Sequence, residues 1–181
     1  MKLYKNVDIC DLESILNRGI LSLDESGNDN WENGNRANNR TDKVYLFQPV
    51  SSENSFPKYG AALVEVEAAD AEQITTADAY QGRYKEFITD RITPEFIRAV
   101  YIPEIFRAKL SIESDKIKYI GMSAAWYDED NDAHDKTPIP PEALQRFAET
   151  APFECASDYN YFRGLTPKNH MIDLYDIHYD I

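Results

Sequence analysis

The pattern of this sequence is mostly short, β-rich runs, and only one stretch near the start has the clear spacing of a helix that packs on a core. In LYKNVDICDLESILNRGIL, residues 3–21, Leu3 and Tyr4 begin as a strand. Asp8 is suited to cap a helix, and Asp11 sits where a first-turn carboxylate offsets exposed amides. Ile9, Leu12, Ile15 and Leu16 then form one apolar stripe. Gly19 suits the left-handed residue that closes a helix, with Arg18 at its negative end, and Ile20, Leu21 and Leu23 carry the chain back inside.

The strand signals come next. VYLFQP (44–49), AALVEVEAAD (61–70), RYKEFITD (83–90) and AVYIPEIF (99–106) are short and β-rich, and the second alternates from Leu63 to Glu67. SSENSFPKYG (51–60) is a turn-rich link, residues 70–79 read as a short helix or loop, and Pro94 opens a single helical turn. Toward the end, Tyr119–Met122 reads as a strand and Tyr127–Lys136 as a solvated acidic turn. Pro140 and Pro141 precede a helix through Glu142, Ala143, Leu144 and Phe147, and IDLYDIHYDI (172–181) alternates as a terminal strand. Strands around one good helix, without the helical crossovers that a regular parallel sheet needs, predict an α+β fold with a mainly antiparallel sheet.

The length of 181 residues and an apolar fraction of 43% fit one domain with a core of its own. No apolar run approaches the roughly 18 residues of a membrane span, and the start lacks a signal segment, so a cytoplasmic protein is expected. Cys10 and Cys155 are far apart and outside any C-x-x-C spacing, and both read as small buried hydrophobes. Asp128, Glu129, Asp130 and Asp132 with His134 lack the glycine turn and final glutamate of a calcium loop, so a solvated turn is the expectation there. His170 and His178 have no patterned carboxylate beside them, so no metal site is expected. Phosphate-loop, dinucleotide-fold, serine-hydrolase and zinc-protease motifs are absent from the sequence. The net charge of −13 opposes nonspecific contact with nucleic acid.

Three segments in order then carry a resemblance: the opening strand and helix, the polar stretch NDNWENGNRANNRTDK (28–43) before VYLFQP, and YKEFITDRITPEFIRAVYIP (84–103). Together they resemble the ADP-ribosyltransferase superfamily, most closely its DarT-like branch, over about residues 3–106. Residues 107–181 lie outside the likeness as a C-terminal extension. The resemblance implies a split antiparallel β-sandwich, a helix beside a cleft, and NAD as co-substrate in that cleft. It also implies an intracellular, toxin-like protein of bacterial or phage type.

Breaking the bond between nicotinamide and ribose develops an oxocarbenium ion, which a nearby carboxylate stabilises. The resemblance places that role on Glu86, with Tyr84 two residues along the same strand face. Arg36 or Arg40 would clamp the diphosphate through a bidentate fork. Tyr4, Lys5 and Asn6 would line the ribose, and Tyr45 and Phe47 would flank nicotinamide, while Trp31 would anchor or stack. Each also has a plain structural reading: Glu86 as the polar phase of a half-exposed strand, the arginines as loop residues, the aromatics as core. Where the family has histidine after the first-strand aromatic, this chain has Lys5, whose ammonium offers no ring nitrogen. The implied activity is transfer of ADP-ribose to a macromolecular acceptor, with protein favoured over nucleic acid by the charge. A non-catalytic acidic binding or inhibitor protein on the same scaffold, and an NAD glycohydrolase, are the alternatives.

Overall fold

The computed structural model describes residues 1–27, 40–50, 62–74, 84–121, 125–128, 133–138, 140–142, 145, 149 and 170–173. Strand β1 (Lys2–Val7) leads through a three-ten turn (Ile9–Asp11) into helix α1 (Leu12–Arg18) and the short α2 (Leu23–Ser26). Strands β2 (Val44–Pro49), β3 (Ala62–Glu67), β4 (Glu72–Ile74), β5 (Tyr84–Thr89), β6 (Ile97–Pro103) and β7 (Ile117–Ile120) follow. They join β1 in one seven-stranded sheet of order β4-β5-β2-β1-β3-β6-β7. Strands β8 (Ala125–Asp128), β9 (Ala133–Pro138) and β10 (His170–Asp173) form a second sheet of order β10-β8-β9. The fold is α+β, as the run of strands around one helix predicts.

Every pairing in the large sheet is antiparallel except β6 with β7, which is parallel. A parallel pair needs a crossover, and here a three-ten segment (Glu104–Lys109) supplies it with Phe106 fully buried as its anchor. Within the segment expected as a short helix or loop, Glu72–Ile74 is instead an edge strand held by pairing with β5, and residues 75–79 lie outside the described residues. The acidic segment 127–136 differs from the expected turn, because Tyr127 and Asp128 belong to β8 and residues 133–136 to β9, which pair as a hairpin from Ala125 to Pro138. Its tip, residues 174–181 of the terminal segment and Cys155 lie outside the described residues.

One face of the large sheet carries the main core. Leu3 and Val7 of β1, Leu46 of β2, Val64 of β3, Phe87 of β5 and Val100 of β6 pack there with Ile9, Leu12 and Ile15. Leu16 lies partly buried at its margin, so the helical stripe meets the core as its spacing predicts. Asp8 caps the three-ten turn by position, without a side-chain hydrogen bond to it, and α1 begins only at Leu12. Ser22 does make such a bond at α2, accepting from the Glu25 amide at 3.3 Å. Cys10 is exposed, against the reading of a buried hydrophobe, because it projects from the turn between Ile9 and Leu12.

Gly19 ends α1 at φ +85° and ψ −173°, a region that only glycine enters readily. Its α-carbon lies so close to Ile92 that an added Cβ would stand 2.0 Å from that carbonyl oxygen. Ile20 and Ile92 exchange backbone hydrogen bonds of 2.8 and 2.9 Å at this point. The end of α1 is thereby tied to the segment just past β5.

Candidate functional site

Across the middle of the large sheet, opposed residues form one row. Ile74 faces Glu86, Glu86 faces Phe47, Phe47 faces Tyr4, and Tyr4 faces Glu65. Directly opposed residues of antiparallel strands share a face, and alternation sets this row on the side away from Leu3, Leu46, Val64 and Phe87. Tyr84 joins it from the same phase of β5. Ring centroids are 5.9 Å apart for Tyr84 and Phe47 and again 5.9 Å for Phe47 and Tyr4, within the range of favourable aromatic pairs. Tyr4 is buried beside Leu63, Asn6 is buried as well, and Glu86, Phe47, Tyr84 and Tyr45 are half-buried. Helix α1 packs on the opposite face, so it backs this row instead of standing beside it.

The ladder is incomplete at the centre of the row. β1 pairs with β3 at every position from Lys2 to Val7, and β2 pairs with β5 at every position from Val44 to Pro49. Between β1 and β2 the only paired position is Tyr4 with Phe47. By ladder pairing the sheet thus parts into β4-β5-β2 and β1-β3-β6-β7, joined at one rung, while β1 and β2 remain adjacent strands of the same sheet. Lys5 spans the parting: its Nζ donates to the Tyr45 carbonyl oxygen at 3.1 Å. Lys5 faces Val64, a core residue, so alternation places it on the other side of β1 from Tyr4 and Asn6. The expected trio of Tyr4, Lys5 and Asn6 is therefore divided between two faces.

Of the two arginines, Arg36 lies outside the described residues, as does Trp31. Arg40 sits next to the row through its backbone, whose N–H donates to the Tyr45 hydroxyl at 2.8 Å. Its guanidinium forks onto Asp42 at 2.9 and 2.6 Å on the surface. That hydrogen-bonded pairing, with Coulombic attraction behind it, raises the Arg40 pKa, while the bond from Arg40 holds the Asp42 carboxyl below its ordinary value. The fork that would grip a diphosphate is engaged by a neighbouring carboxylate.

Sequence reasoning missed Glu65 and Tyr101. The Tyr101 hydroxyl donates to Glu65 Oε2 at 2.9 Å, Lys2 lies 3.8 Å from Glu65 Oε1, and the Lys118 ammonium stands 5.4 Å from the Tyr101 ring centre. The alternation of β3 marks Glu65 as outward, but its partners come from strands that only the sheet order brings near. Asp8, Cys10 and Asp11 place ligand atoms within 4.8 Å of one another, a proximity that one tight turn produces without any ion. Among the described residues no helix is long and apolar enough to cross a membrane.

Comparison with protein-family models, curated proteins and solved structures finds no match for this chain.

Proposed function

We propose that this chain is an ADP-ribosyltransferase-like protein that uses NAD as co-substrate and transfers ADP-ribose to a macromolecule. The observation that carries the reading is the meeting of Glu86, Phe47 and Tyr4 on one rung, where the sheet parts. A half-buried carboxylate among aromatic rings is what departure of nicotinamide needs: the rings receive a flat heterocycle, and the carboxylate faces the positive charge that develops on ribose. Glu86 is the proposed catalytic group, Tyr84 and Phe47 flank nicotinamide with Tyr45 behind them, and Tyr4 and Asn6 border the ribose. The two parted halves of the sheet correspond in this reading to the split sandwich, and the parting to the cleft. Arg40 would hold the diphosphate by exchanging Asp42 for phosphate oxygens; Arg36 is the second candidate. The charge of −13 favours a protein acceptor with basic surface over nucleic acid.

Purified protein is incubated with NAD, alone and with cell lysate, and nicotinamide release and labelling of macromolecules are followed. Release with lysate-dependent labelling, lost in Glu86→Gln, supports transfer. Release without labelling makes the protein a glycohydrolase. Absence of both, with no thermal stabilisation by NAD, refutes the enzymatic reading, because a ligand that binds only the folded state must stabilise it.

The second reading is a non-catalytic binding protein on this scaffold. Two observations favour it: Lys5 spends its ammonium on the Tyr45 carbonyl, and the Arg40 fork is closed on Asp42. It predicts a correctly folded protein that is silent toward NAD and captures basic partners in a salt-dependent way.

A further inference from the structure

We infer that Lys5 is a positioning residue which ties the two halves of the sheet together at their parting, and that it acts on the candidate site through Tyr45 instead of touching a ligand. The inference deepens the proposed function and rests on it only for its last step. On a core-facing phase of β1 an ammonium has to find an acceptor, since a half-buried charge without one is strongly disfavoured. The acceptor it finds belongs to β2, 40 residues away in sequence. Beside the Tyr4–Phe47 rung, this bond is a second link between strands that share no other paired position.

Tyr45 is held at both ends. Its carbonyl accepts from Lys5, and its hydroxyl accepts from the Arg40 backbone. Lys5 thus governs the spacing of β1 and β2, the placement of Phe47 two residues on, and the seat of Arg40.

The test is amide hydrogen exchange of the full chain, with Lys5→Met, Lys5→Arg and, as a control, Lys2→Met, which removes the same charge from the same strand away from the parting. A charge-assisted bond of ordinary strength predicts that Lys5→Met speeds exchange in residues 44–48 about tenfold or more. Lys5→Arg, which keeps a charged donor, should restore much of the protection, and Lys2→Met should leave residues 44–48 unchanged. Should Lys5→Met fail to fold, Lys5→Gln is read in the same way. Equal exchange in Lys5→Met and Lys2→Met overturns the inference.

NAD-dependent nicotinamide release adds the functional arm. A tie predicts that Lys5→Met loses release about tenfold and that Lys5→Arg recovers it. Loss of NAD binding with unchanged exchange in β2 would make Lys5 a ligand contact and overturn the inference. Wild-type protein inert toward NAD sinks the proposed function alone, and the exchange result still decides the tie.

Discussion

Replacing Gly19 by alanine tests the joint that sets the end of α1 against the segment after β5. Two effects add. The backbone at φ +85° and ψ −173° lies where a side chain is strained by about 1–3 kcal/mol. The new Cβ would also stand 2.0 Å from the Ile92 carbonyl oxygen, a backbone atom that has no rotamer by which to give way. Separation must then break the two hydrogen bonds between Ile20 and Ile92, each contributing about 1 kcal/mol. The sum is about 3–5 kcal/mol, or roughly 6–20 °C in Tm for a chain of this size. Gly27 supplies the control: it too has positive φ, +65°, but nothing lies within 4 Å of its would-be Cβ, so Gly27→Ala should lose only about 1–2 kcal/mol. Thermal and urea unfolding of the two variants side by side decide the matter. Equal losses would show that close approach to Ile92 contributes nothing, and the argument from the joint would fail.

Four other outcomes follow from the same geometry. Phe106→Ala should lose about 3–5 kcal/mol in urea unfolding, since the fully buried ring anchors the crossover to the parallel strand β7. Tyr101→Phe should lower stability by about 1–3 kcal/mol, because it leaves the shielded Glu65 carboxylate without its hydroxyl donor; a neutral result would mean Lys2 or water takes over. Tyr45→Phe should leave the fold intact and speed exchange of the Arg40 amide, whose acceptor it removes. The Asp42 carboxyl is held low by Arg40, so the pair stabilises above the ordinary carboxylate pKa of about 4 and is lost as pH falls through the lowered folded value. NMR titration should therefore find Asp42 titrating at higher pH in Arg40→Gln than in the unaltered protein.

Much of the sheet was legible because it depends on short-range pattern. VYLFQP is β2 residue for residue, and RYKEFITD contains β5 with one residue to spare at each end, since alternation fixes which side chains face the core. The turn begun by Pro94 and the glycine end of α1 were equally visible, both being backbone requirements of single residues. What escaped was set by partners distant in sequence. Glu72–Ile74 has no alternation of its own and is a strand because β5 offers an edge. β7 runs parallel because Phe106 and its three-ten segment turn the chain back, which no local pattern announces. In the candidate site, the row of Glu86, Phe47 and Tyr4 follows from strand phases that the sequence displays, but their shared rung does not. The division of Tyr4 and Asn6 from Lys5 was legible in principle, as adjacent strand residues face opposite ways.

The parted sheet gives these residues a meaning that an intact sheet would not. A continuous ladder closes its own backbone, and a ligand finds only side chains above it. Where β1 and β2 pair at a single rung, a carboxylate carried by one half shares a sheet face with aromatic rings carried by both. Catalysis at such a place requires that the halves keep a constant spacing, because a shift of about 1 Å is enough to lower a rate by two orders of magnitude. Three features hold that spacing: the Tyr4–Phe47 rung, the Lys5 bond to Tyr45, and the Gly19 joint that ties the end of α1 to the chain beyond β5. Each lies outside the reacting atoms. If the reading is right, Gly19→Ala and Lys5→Met will depress NAD turnover together with Glu86→Gln, yet only Glu86→Gln will do so while leaving Tm and β2 exchange unchanged.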